Sequence, residues 1–150
     1  FIAFSSVFTG CSNKNALTYF ENDKQSANSI QYTKKRDLKF ANEVKTMIFV
    51  TYLNKIDKKY ENTKIDSFIV GVYYPNEENN EKIYTVSLNN KEALKIEKIE
   101  KKSNLIQSIP LKNNWADYYL MDFEHIKNID KLNIKFIEPK FGQIHLTFEK

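Results

Sequence analysis

Ile144, Leu146 and Phe148 alternate with Gln143, His145 and Thr147. A period of two puts the two sets on opposite faces of an extended chain, so this segment is predicted as a strand with one apolar and one polar face. The same period recurs upstream. Leu132, Ile134 and Phe136 alternate with Asn133, Lys135 and Ile137. Val44, Thr46, Ile48, Val50 and Tyr52 alternate with Lys45, Met47, Phe49, Thr51 and Leu53, and both sets are fairly apolar, as in a central strand covered on both sides. Ile65 to Tyr74 is rich in β-branched and aromatic residues. A polar stretch follows, from Pro75 to Glu81, and alternation resumes from Ile83 to Leu88, which predicts a hairpin with a long tip.

Asn89-Asn90 reads as a turn. Leu94 to Ile99 reads as a strand ending in a polar turn over Lys101 to Asn104, although Ile99 also fits a helical spacing. Leu105 to Leu111, with Pro110, is expected to be irregular, and Trp115 to Phe123 to be a strand. The tally is about seven strands, with turn signals every ten to fifteen residues and no helix between most of them. That pattern favours a mostly β fold, an antiparallel β-sandwich of immunoglobulin-like architecture, over a parallel α/β sheet; a small barrel is the alternative. One or two short helices are expected before it, from Ala16, Leu17 and Phe20 and from Ala27 and Ile30. The expected division is a truncated signal over 1–10, an anchor and helical linker over 11–36, and the sandwich over 37–150, a length suited to one core.

Phe1 to Gly10 carries no charge and ends in small residues before Cys11. This has the form of the back half of a secretory signal, with its basic start lying upstream. Phe8-Thr9-Gly10-Cys11 resembles the bacterial lipobox, with Phe8 where that pattern prefers Leu. The resemblance implies a diacylglycerol on the Cys11 sulfur and an acylated new N-terminus, which together anchor firmly where one chain would not. By the same resemblance Ser12, standing where Asp would retain the protein in the inner membrane, points to the outer membrane. No other cysteine is present, which removes disulfides and cysteine metal sites. No later segment approaches the roughly 20 apolar residues of a membrane span.

The net charge is +4, almost all from lysine, with Arg36 the only arginine. Lysines are interleaved with acids, as in Lys95-Ile96-Glu97-Lys98-Ile99-Glu100, rather than gathered on one face, so no nucleic-acid partner is expected. His125 and His145 lack companions at ligand spacing, so no metal or other cofactor is expected. Glu77, Glu78, Asn79, Asn80 and Glu81 are oxygen-rich, but a solvated loop tip is preferred to a calcium site. Asp122 and Glu124 share one strand face, and with His145 they carry the alternative reading of an envelope hydrolase. Ser87, Ser103 and Ser108 have no nucleophile elbow around them, and Gly10, Gly71 and Gly142 form no phosphate-cradling loop.

The candidate partner-binding residues are Trp115, Tyr118 and Tyr119, because exposed Trp and Tyr are favoured anchors. Trp115 is expected to plug the core rather than face a partner, and Tyr118 and Tyr119 to point to opposite sides. Tyr73-Tyr74-Pro75, Leu88-Asn89, Leu111-Lys112-Asn113-Asn114-Trp115, Tyr118-Tyr119 and Phe148-Glu149-Lys150, taken with the lipobox and the Lys/Asn/Ile-rich composition, resemble small lipoproteins of the Campylobacter and Helicobacter group. The resemblance implies an immunoglobulin-like sandwich and an envelope address, and no catalytic residue. The expected function is therefore that of a non-enzymatic outer-membrane lipoprotein, tethered by Cys11 and binding an envelope protein or other envelope component.

Overall fold

The computed structural model describes residues 27–61, 64–76 and 84–150. The signal segment 1–10, Cys11, Ser12, the helix expected around Ala16 to Phe20 and the acidic stretch Glu77 to Glu81 lie outside the described residues. Residues 27–31 are helical.

Nine strands are present among the described residues: β1 (Thr33–Phe40), β2 (Glu43–Tyr52), β3 (Ile65–Tyr73), β4 (Thr85–Leu88), β5 (Lys91–Glu92), β6 (Lys95–Ile99), β7 (Asp117–Glu124), β8 (Lys131–Glu138) and β9 (Gly142–Glu149). They form two sheets, one ordered β1-β2-β3-β7-β6 and one ordered β5-β4-β8-β9. Every pairing is antiparallel. The sheets pack face to face as the predicted antiparallel sandwich. Between them lie Ile48, Val50, Phe68, Val70, Val72, Met121 and Phe123 from the first sheet and Val86, Leu88, Ile134, Phe136, Leu146 and Phe148 from the second. Phe68 is the hub: its ring lies 4.8 Å from Tyr52, 5.9 Å from Phe123 and 5.6 Å from Phe148. Burying one such ring contributes roughly 1.5–3 kcal/mol.

Three expectations are corrected. β1 begins at Thr33, inside the stretch expected to be a linker. Its sequence is mostly charged because it is an edge strand, and only Thr33 and Leu38 are buried. β3 and β4 do not form a hairpin; β3 pairs with β2 and β7, and β4 with β5 and β8. A strand as apolar on both faces as β3 needs a partner on each edge and cover on each side, and the chain crosses to the other sheet after it. Finally, Asn104–Ser108 is a short helix, α1, rather than irregular chain; the Ser103 hydroxyl caps it by accepting from the Ile106 amide.

α1 covers the outer face of the first sheet. There Ile106 and Ile109 join Leu53, Ile69, Ala116 and Tyr118 in a second buried cluster. The fold thus has three layers over part of its area: the β4/β8 sheet, the β2/β3/β7 sheet, and a cover made of α1 and the 3-10 turn Leu53–Lys55. The two tight turns follow the hairpin rule that both central residues take positive φ. Ala41 and Asn42 join β1 to β2 at φ 50° and 66°, and Asn89 and Asn90 join β4 to β5 at 48° and 65°. Asn89 also ties its turn to β8, accepting from the Asn133 amide and donating to the Lys131 carbonyl.

Candidate functional site

Two groups of side chains stand out, one at each end of the sandwich. The first is built on Gly71. Gly71 lies opposite Tyr118 in the β3–β7 pairing, and a Cβ at Gly71 would sit 2.5 Å from the Tyr118 ring. The missing side chain lets that ring lie directly over the strand, fully buried. Its hydroxyl then reaches back five residues, accepting from the Asn113 amide at 2.7 Å and donating to the Asn113 carbonyl at 3.3 Å. This is the tyrosine-corner device of sandwich domains, placed at the start of β7. The Asn113 side chain accepts from the Trp115 amide at 2.9 Å, the Ala116 amide donates to the Asn113 carbonyl, and the Lys101 ammonium donates to the Asn114 carbonyl.

The stapled loop displays Trp115. This residue is 75% exposed, with its ring 6.5 Å from Tyr73. That corrects the expectation that Trp115 plugs the core. The space is filled instead by Ala116, which turns inward, and by Tyr118 over Gly71, so Trp115 is turned out. Tyr118 and Tyr119 do point to opposite faces, but both faces are covered. Tyr118 is in the outer cluster, and Tyr119 packs against the inter-sheet core with its ring 6.2 Å from Tyr84. Of the three aromatic candidates, Trp115 is the one that presents its ring to solvent.

The second group is one that sequence reasoning passed over. Asp66 is fully buried on the core-facing side of β3. Its Oδ1 accepts from the Tyr52 hydroxyl at 2.8 Å and lies 3.2 Å from His125 Nδ1. Its Oδ2 makes no hydrogen bond but lies 3.9 Å from the Lys150 ammonium, which also donates to the Ile126 carbonyl. The ends of β2, β3, β7 and β9 thus meet on one carboxylate. The signal available was a lone Asp inside the apolar run Ile65 to Tyr74, where a charge is tolerated only if paired.

Burial and the Asp66 carboxylate push the Tyr52 hydroxyl well above the usual tyrosine pKa. Burial and the Tyr119 hydroxyl do the same to Tyr84. In the unfolded chain tyrosines ionise from about pH 10. Above that pH the unfolded state gives up protons that the folded state keeps, so stability falls as pH rises. The thermal midpoint is expected to drop steadily above about pH 10, and Tyr84→Phe should make that slope shallower; an unchanged slope in Tyr84→Phe would refute the assignment.

The hydrolase residues do not converge. Asp122 accepts from Ser67 at 2.7 Å, and Glu124 pairs with Lys91 at 2.6 Å. Both lie on the outer side of the β7 sheet, alternating with Met121 and Phe123 of the core. His145 is exposed on the outer side of the other sheet, alternating with Ile144 and Leu146. Among the described residues no three His, Cys, Asp or Glu side chains are grouped to hold a metal, and no helix is long and apolar enough to cross a membrane. No protein family, curated protein or solved structure matches this chain.

Proposed function

We propose that this chain is an outer-membrane lipoprotein, anchored through lipid on Cys11, whose sandwich binds an envelope protein through the Trp115 loop and catalyses no reaction. The observation that carries the binding surface is Trp115 itself: a large ring held out on a loop fixed by Tyr118, Asn113 and Lys101. A pre-ordered aromatic loses little freedom on binding, which is why such residues dominate interfaces. The placement of the ends supports the same reading. The sandwich is entered at Thr33, opposite Thr51 and beside Tyr52, at the Asp66 end. Trp115 adjoins Tyr73 at the other end of β3. Seven residue steps of strand separate Asp66 from Tyr73, about 23 Å. Trp115 therefore stands at the opposite end of β3 from the point where the chain from Cys11 enters the sandwich.

The test is intact-mass measurement of membrane-extracted protein beside a Cys11→Ala control, followed by cross-linking in cells of wild type and Trp115→Ala. A lipid-sized adduct is expected on the wild type alone. Trp115→Ala should change folding stability by less than about 0.5 kcal/mol, as an exposed substitution, yet weaken partner capture by about 2 kcal/mol or more. A wild type without adduct overturns the anchor, and undiminished capture by Trp115→Ala overturns the binding surface.

A further inference from the structure

Among the described residues β6 is one of the two edges of the five-stranded sheet, with β1 at the other. Ile96 lies opposite Met121 of the inter-sheet core and therefore projects from the core-facing side. Ile96 is 57% exposed and Leu94 65%. An uncovered edge with apolar side chains offers unpaired backbone groups and a dry surface to any extended chain. The charges along it decide which chain fits. Lys95 and Glu97 lie on the outer side of the sheet, 2.6 Å apart, and Lys98 pairs with Asp117 at 3.2 Å.

A second copy of this chain can add its own β6 antiparallel only through a two-fold axis perpendicular to the sheet. Such an axis keeps each side chain on its own face, so one residue must lie opposite itself, and a one-residue slip is forbidden. Centring the pair on Lys95, Glu97 or Lys98 sets like charges against each other. Centring it on Ile99 carries half the pairing into the turn after Glu100. Centring it on Ile96 gives a different result. Ile96 meets its copy, Lys95 meets the partner's Glu97, Glu97 meets the partner's Lys95, and Leu94 packs along the stem of the partner's Lys98. Ile96, Leu94 and the Lys98 stem then share one face, and the complementary Lys95 and Glu97 the other.

We propose that β6 is a homodimer interface, pairing antiparallel about Ile96 so that two five-stranded sheets become one continuous sheet. The charges on β6 act as a register code: they oppose mismatched strands and accept the strand of a second copy. Opposed charges on neighbouring strands favour pairing and like charges oppose it.

The full chain carrying Cys11→Ala is studied in mild detergent by native mass spectrometry, with disulfide trapping alongside. A dimer is expected. Lys95→Glu sets a carboxylate against the partner's Glu97 at two symmetric places and should weaken the dimer about tenfold or more. Adding Glu97→Lys to Lys95→Glu restores opposite charges and should restore the dimer. Ile96→Cys should form a disulfide-linked dimer under mild oxidation, whereas Lys135→Cys, in the middle of the other sheet, should not. All four sites are on the surface or at a partly exposed position, so folding survives, and circular dichroism checks that it has. A chain that stays monomeric, a dimer untouched by Lys95→Glu, a double variant that fails to recover, or Ile96→Cys no more readily trapped than Lys135→Cys each overturns the proposal.

Discussion

Replacing Asp66 with alanine is expected to remove about 3 to 5 kcal/mol of folding stability, the usual cost of breaking a buried charge group by deleting one member. The loss comes less from the bonds that disappear than from the groups left behind. Tyr52 keeps a buried hydroxyl without its acceptor, and Lys150 keeps a largely buried ammonium without its counter-charge. His125 loses the carboxylate its Nδ1 faces. Asp66→Asn retains the shape and an acceptor for Tyr52, removes only the charge, and should cost clearly less than alanine. Urea midpoints of the two variants measure both effects. A loss below about 1 kcal/mol in Asp66→Ala, the level of one ordinary hydrogen bond, would mean that the four strand ends do not depend on this carboxylate.

Gly71→Ala is the second large effect expected. The new methyl would sit 2.5 Å from one Tyr118 ring carbon and 2.9 Å from the next. Neither atom is the loose end of a flexible chain. The ring is buried and its hydroxyl is held twice by Asn113. Relief requires moving the ring, the strand pairing or the Asn113 loop, and overpacking of this kind costs typically about 1–3 kcal/mol. The effect should spread to the end of the loop, and Trp115, the only tryptophan, reports it directly by fluorescence. Tyr118→Leu removes the clash together with the corner. In a double-mutant cycle Gly71→Ala should therefore cost little once Tyr118 is leucine. Equal costs in the two backgrounds would show that the ring and the glycine are not coupled.

Strands with at least one dry face are the legible part of this chain. β8 and β9 announce themselves by alternation, and β2 and β3 by apolar runs too short for helices and rich in β-branched residues. β1 was not legible because an edge strand with two wet faces has no period to read. The partnership of β3 was not legible either. Sequence neighbours invite a hairpin, whereas β3 takes β7, with Ser67 bonded to Asp122 across 55 positions. Trp115 was misjudged because size suggests burial. The deciding facts were a glycine on the adjacent strand and an alanine next door, which only register brings together. Asp66 was overlooked for the opposite reason: its meaning lies in Tyr52, His125 and Lys150, which are far from it in the chain and adjacent only at the end of the sandwich.

The placement of β7 between β3 and β6 also sets a timetable. A chain emerging N-terminus first can close β1, β2 and β3 into a meander at once, since their connections are local. β3, whose residues from Asp66 to Val72 are all buried in the finished fold, then waits with one edge bare until β7 arrives. Contacts between segments so distant in sequence form slowly, and bare apolar edges are the sites at which incomplete chains stick together. The vulnerable species is thus a half-made protein ending between β3 and β7. A holding factor that shields one strand edge during that interval would protect it, and the need for that factor would end when β7 docks.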